Sequence, residues 1–203
     1  MKILRKLLPK RFSPLHWRKM AYRDSHGLRN RAWLFDSAAV LYEQKKKSWD
    51  FLLLYIDLRN FRTVNNQLSH AAGNEVLKEF YALLETKFRT HQPVGSFRRD
   101  RNCHEKDILV VREGGDEFVV FLPLGVCDDT KRRSATKVIV DRLENLYINH
   151  KGIKVTARIA VESSQPKKPH ASFLDFFHKA DRKLTAIHKA EGSPQGPHER
   201  VDT

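Results

Sequence analysis

Phe51-Leu-Leu-Leu-Tyr-Ile-Asp-Leu58 is the stretch that decides how this chain folds. A strand with one wet face alternates apolar and polar residues; this one is apolar on both faces, so it reads as a central strand covered on each side. It closes on a carboxylate, Asp57, at a place where burial makes charge expensive, and that charge needs a partner or a purpose. Working outward, Ala32 to Lys47 lacks breakers and ends in a lysine run, as a helix with cations at its C-terminal dipole does. Downstream, Phe61, Val64 and Leu68 recur at helical spacing. After Gly73 a second helix carries Val76, Leu77, Phe80, Tyr81, Leu84 and Phe88 on one side. The unit is strand, helix, helix.

The remainder alternates in the same manner. Residues 89–105 are polar and arginine-rich, with Pro93 and Gly95, and read as a long loop. Two β-rich runs, Ile108 to Val111 and Phe118 to Leu122, flank Gly114-Gly115, a dipeptide that permits the positive φ of a tight hairpin. Thr130 to Tyr147 reads as a helix, Lys154 to Val161 as a strand, and Ser172 to about Ala190 as a last helix. This order predicts an α/β fold, with a mixed central β-sheet flanked by helices and one hairpin. The expected domain covers residues 21–192, after a basic N-terminal arm at 1–20 and before a disordered tail at 193–203. There is no internal repeat.

With 203 residues the chain holds one domain with a real core rather than two of ordinary size. No apolar run approaches the roughly 18 residues of a membrane span. The N-terminal arm mixes Lys2, Arg5, Lys6, Lys10 and Arg11 with leucines and is interrupted by Pro9 and Pro14, so it lacks the apolar core of a signal peptide. Cys103 and Cys127 have neither zinc nor redox spacing and read as reduced thiols. These features point to a cytoplasmic protein, with the arm either a solvated tail or a surface helix peripheral to the anionic inner face of a membrane. The formal net charge of +14 favours polyanions in general. No recognition helix or stacking-aromatic motif accompanies it, which argues against nucleic acid as partner.

Acidic residues stand at two unusual points: Asp57 ends an apolar strand, and Asp116-Glu117 follows the Gly-Gly turn directly. Two readings are open on composition. Either the acids merely cap a hairpin and open a turn, or they form a hard-oxygen site for Mg²⁺, which bridges a few carboxylates to substrate phosphates and implies a nucleoside triphosphate.

The motifs favour the second reading. Arg112-Glu-Gly-Gly-Asp-Glu-Phe118 reproduces the GGDEF signature with its preceding arginine. Upstream, Asp57-Leu-Arg-Asn-Phe-Arg-Thr-Val-Asn65 and Ser69-His-Ala-Ala-Gly-Asn74 resemble that family's Asp-x-Asp-x-Phe-Lys-x-x-Asn and Gly-His-x-x-Gly-Asp elements at the family's spacing. Gly27-Leu-Arg-Asn-Arg31, Val155 to Ala160, and Ala180-Asp181 with Leu184 are similar to further family elements, so the resemblance spans about Tyr22 to Gly192.

The GGDEF family implies a palm-like cyclase fold and a diguanylate cyclase activity, joining two GTP into cyclic di-GMP across a homodimer. By position, Asp57, Asp116, Glu117 and the Leu58 carbonyl would hold two Mg²⁺ or Mn²⁺ ions. Asp116 would assist deprotonation of the attacking 3′-OH, with Glu117 beside it as the second catalytic acid. The backbone at Asn60 and Phe61 would cradle phosphates, Asn65 and Asn74 would read the base, Gly114 and Gly115 would belong to the substrate-binding set, and Lys189 would grip phosphate, His188 being the alternative register.

The departures are specific. Asn74 stands where the family uses aspartate, and its amide offers one acceptor plus an NH₂ that could pair with adenine, so the base preference is either retained more weakly or changed. Arg59 replaces the second aspartate of the strand-end pair, and Ser193 replaces a family arginine. His104-Glu-Lys-Asp107 stands in place of the product-inhibition motif and lies one residue out of register, so no such inhibitory site is expected. A degenerate module that binds nucleotide without catalysis is the alternative, and a lone His70 reads as structural.

Overall fold

The computed structural model describes residues 21–88 and 108–192. The basic arm, the arginine-rich loop with His104 to Asp107, and the C-terminal tail lie outside the described residues. Helix α1 (Arg31–Lys45) starts on Asn30, whose side-chain oxygen accepts from the Trp33 N–H, an N-cap that satisfies one orphan donor of the first turn. Strand β1 (Asp50–Arg59) follows, then α2 (Phe61–Gln67) and α3 (His70–Phe88). The hairpin strands are β2 (Leu109–Gly114) and β3 (Glu117–Gly125). Helix α4 (Asp129–Glu144), the second hairpin β4 (Tyr147–His150) and β5 (Ile153–Ser164), and helix α5 (Phe173–Ala190) complete the fold.

The five strands lie in the order β2-β3-β1-β5-β4, and every neighbouring pair is antiparallel. The palm-like architecture is as expected, but the expected mixed sheet is corrected. The α2–α3 crossover does return the chain to a strand running the same way as β1. That strand, β2, is kept from pairing with β1 because β3 folds back into the slot between them. The expected helix through Tyr147 is also shortened: α4 stops at Glu144, and Tyr147–His150 is an edge strand. Lys151 and Gly152, both at positive φ, turn it into β5.

Strand β1 is buried along both faces, for the reason its composition implies. Leu52, Leu54, Ile56 and Leu58 pack in one core beneath α3 with Val76, Phe80 and Leu84. Phe51, Leu53 and Tyr55 pack in the opposite core with Tyr42 of α1 and Phe173, Phe176 and Phe177 of α5. Each large side chain fully removed from water contributes about 1.5–3 kcal/mol, so the central strand anchors both layers. Side chains alternate across a strand, so Asp57 shares the face of Tyr55 and Leu53 and looks toward α5.

Candidate functional site

The site is a row of charge written by strand register. Asp57 of β1 lies opposite Glu117 of β3 on one side and opposite Arg158 of β5 on the other. Directly paired residues present their side chains to the same face, so an acid, an acid and a guanidinium stand abreast at the end of the sheet. Asp57 is only 2% exposed, and Asp116, at the hairpin tip, only 8%.

The hairpin end is acidic. Burial, and then the negative charges of Asp57, Asp116, Asp181 and Glu113, push the Glu117 carboxyl up to about 7. The Tyr55 hydroxyl donates to Glu117 Oε2 at 3.3 Å, and its own ionisation is pushed upward by burial and by that neighbouring acid. Gly115 supplies a positive φ at the turn, a conformation costly for other residues. Arg112, the residue that opens the signature, fixes this turn: its Nε and Nη2 donate to the Gly115 carbonyl at 3.0 and 2.6 Å. Its Nη1 reaches Asp24 Oδ2 at 2.7 Å, tying the hairpin to the segment before α1.

The opposite end is basic. Arg158 Nη1 donates to Asp57 Oδ2 at 2.6 Å, with the guanidinium only 7% exposed. Its Nε donates to Glu191 Oε2 at 2.7 Å, and Arg59, on the same face two residues after Asp57, pairs with the other oxygen of Glu191. His188 Nε2 lies 3.5 Å from Asp57 Oδ2. Burial, and then the charge of Arg158, hold the His188 imidazole below its ordinary range, which keeps it neutral. Lys189 is exposed. An α-helix turns by about 100° per residue, so in α5 it is His188 that looks to the acids and Lys189 that looks away.

The remaining predicted residues stand at the end of β1, in the turn after it, and on α2 and α3. Leu58 buries its side chain in the α3-side core. Asn60 takes a left-handed conformation with φ 66°, and its Nδ2 donates to the Lys154 carbonyl at 2.9 Å. Phe61 is half-buried. Asn65 of α2 presses against Gly73 of α3 so closely that a Cβ there would come within 2.0 Å of Asn65 Oδ1. The Gly73 backbone is therefore open to close approach because it must seat Asn65. Asn74 is brought to His26, Nε2 to Oδ1, at 2.8 Å.

Sequence reasoning missed His26, Arg158 and Glu191. Arginine only donates, so the Arg112 Nη1 contact to His26 Nδ1 at 2.7 Å makes Nδ1 an acceptor and puts the proton on Nε2. Nε2 then donates to Asn74 and takes one of the two lone pairs of its oxygen. Nothing local in the sequence marks His26. Arg158 carried a weak signal, a charge set between Ala157 and Ile159 in the middle of β5.

The acids fit one divalent cation better than two. Among the described residues no group of three His, Cys, Asp or Glu side chains is placed to hold a metal ion. Mg²⁺ needs only one or two carboxylates when substrate phosphates supply the rest. The raised Glu117 carboxyl marks negative charge that a cation at Asp116 and Glu117 would relieve, whereas a second ion at Asp57 would face the Arg158 guanidinium.

An antiparallel five-stranded palm with an acid-tipped hairpin beside an acid-ended central strand defines the class of cyclase-fold domains. Residues 21–102 match the family model described as "Diguanylate cyclase, GGDEF domain". That match covers the segment from before α1 through α3 and stops short of the hairpin. The diguanylate cyclase DgcM of Escherichia coli (strain K12) is 31% identical over 106 residues, 49% of this chain and 22% of that one. YhcK of Bacillus subtilis (strain 168), an uncharacterized protein, is 31% identical over 99 residues, 48% and 23% of the two chains. This chain thus spans less than a quarter of either relative. Among solved structures, the coiled coil and GGDEF domain of DgcB from Caulobacter crescentus in complex with c-di-GMP has the same fold. Its TM-score is 0.60 at 17% identity, over 88% of this chain and 85% of that one. Among the described residues no helix is long and apolar enough to cross a membrane.

Proposed function

We propose that the chain is a diguanylate cyclase, in which two copies each bind GTP and the 3′-OH of one nucleotide displaces pyrophosphate from the α-phosphate of the other, twice, to give cyclic di-GMP. The observation that carries this reading is the convergence of Asp57, Asp116 and Glu117 at one sheet end, with Glu117 pushed up to about 7. Buried acids crowded in this way are unfavourable unless a cation arrives. A single Mg²⁺ or Mn²⁺, entering with the nucleotide and held by Asp116 and Glu117, would supply charge neutralisation at the phosphate. Asp116 is the group proposed to take the 3′-OH proton. Asn65 and Asn74 read the base, and a homodimer brings the two half-sites together.

With His26 on one lone pair of its oxygen, Asn74 meets a base with its NH₂ donors and a single remaining acceptor position, which favours an acceptor-bearing edge over the paired N1–H and N2–H donors of guanine. A mixed or adenine-containing product is the variant this contact supports. A specific observation also favours the non-catalytic alternative: Arg158 already neutralises Asp57, as a nucleotide-binding module without metal chemistry could allow.

Incubating the full chain with Mg²⁺ or Mn²⁺ and GTP, ATP or both, with products identified by mass spectrometry, separates these readings. Cyclic di-GMP supports the cyclase as stated, and a mixed product assigns specificity to Asn74. Nucleotide binding with no product at high protein concentration would retire catalysis.

A further inference from the structure

Glu191 is in an awkward place for a carboxylate. It is the C-cap of α5, where the helix dipole presents its negative end and an acid is disfavoured. It is held there by two guanidiniums, Arg59 and Arg158, which bind its two oxygens. Arg158 is buried and anchored by Asp57, whereas Glu191 and Arg59 are respectively 34% and 41% exposed. One cation is thus built into the sheet, the other reaches in from the rim, and the anion between them hangs on a terminal turn open to solvent.

We infer that Arg59 and Arg158 form a polyphosphate subsite, and that Glu191 is its built-in occupant, displaced when the β- and γ-phosphates of a nucleotide arrive. The chemistry of the exchange is direct. A carboxylate spends one charge on two guanidiniums, while a polyphosphate offers more charge and more acceptor oxygens to the same donors, in the bidentate geometry that arginine matches well. Releasing Glu191 also removes an acid from the negative end of α5. Arg158 keeps its bond to Asp57 throughout, so the incoming phosphate is seated beside the acid row without meeting a bare Asp57. The two arginines thereby supply the cationic grip at a position where Lys189 of α5 is turned outward and exposed.

The inference rests on the cyclase reading for the identity of the nucleotide, and its test is independent of turnover. Isothermal titration of the full chain with inorganic tripolyphosphate, without divalent ions, reads the subsite alone. Glu191→Gln should tighten binding about threefold or more, Arg59→Gln should weaken it about tenfold, and Arg62→Gln, an exposed arginine on α2, should change it less than about twofold. GTP should follow the same order, and GMP should be indifferent to Glu191→Gln. If Glu191→Gln leaves tripolyphosphate binding unchanged or weaker, or if Arg59→Gln and Arg62→Gln are equivalent, the inference is overturned. Should the affinities shift as expected while no cyclic product forms with any nucleotide or metal, the subsite stands and the cyclase reading falls. Product formation with affinities untouched by these variants would mean the reverse.

Discussion

The two neighbours of β1 treat the same carboxylate in opposite ways. On the β3 side Asp57 faces Glu117, and charge is left crowded; on the β5 side it faces Arg158, and charge is closed by a 2.6 Å ion pair. The β3 side carries the Gly-Gly-Asp-Glu-Phe signature, and a cation there would relieve its crowded acids. The β5 side has brought its own cation, chained onward to Glu191 and Arg59. The difference teaches that a retained signature and an altered site coexist in one domain, because the signature lies on one hairpin while the site is assembled from three strands and a helix.

The largest effect should come from the acidic side. Asp116→Asn or Glu117→Gln should lower product formation at least about a hundredfold, while metal-free tripolyphosphate binding stays near wild type, as mass-spectrometric assay and calorimetry would report. Equal loss of both would mean that the two sides are not separable.

Next comes the closed pair. Arg158→Met leaves Asp57 buried without its guanidinium and should destabilise the protein by about 3 kcal/mol in urea unfolding. Millimolar Mg²⁺ should recover part of that loss if Asp57 then becomes a metal ligand. No recovery would mean that the β5 side cannot be returned to the character of the β3 side.

A pH profile follows. Glu117 binds its proton more tightly folded than unfolded, with the carboxyl raised from 4.5 to about 7. The native state therefore holds the extra proton in that window, and stability declines as the pH rises through it, by a few kcal/mol at most, on the order of 2. Glu117→Gln should flatten the decline. Divalent ions should raise the melting temperature at pH 8 and not at pH 5, since only the ionised carboxylate rewards them.

The smallest effects belong to base reading. Gly73→Ala should displace the Asn65 side chain and weaken nucleotide binding by about 1–2 kcal/mol. Asn74→Asp should shift preference toward GTP over ATP by about tenfold, and His26→Ala, which frees the Asn74 oxygen, should move it in the same direction by less. Unchanged preference in both variants would detach His26 and Asn74 from specificity.

Much of this fold was legible along the chain. An unbroken apolar run bounded by helices reads as a covered strand, and Gly114-Gly115 between β-rich runs reads as a hairpin, because both signals are local. Strand β4 was hidden because its four residues follow a helix without a breaker, and only the Lys151-Gly152 turn betrays it. The sheet was expected to be mixed because element order tells which strands run the same way, not which are neighbours.

The acids of the site were found by motif and by the oddity of charge beside apolar runs, and those features are properties of residue type and spacing alone. Their partners were not. Arg158 meets Asp57 across 101 positions through the register of β1 on β5, and a one-residue slip would turn it to the other face. His188 rather than Lys189 faces the acids because of the phase of α5, and His26 reaches Asn74 where Arg112 ties the segment before α1 to the hairpin. Composition and spacing thus determined the elements and the acids, while register, helix phase and long-range ion pairs, which depend on packing, decided what those acids touch.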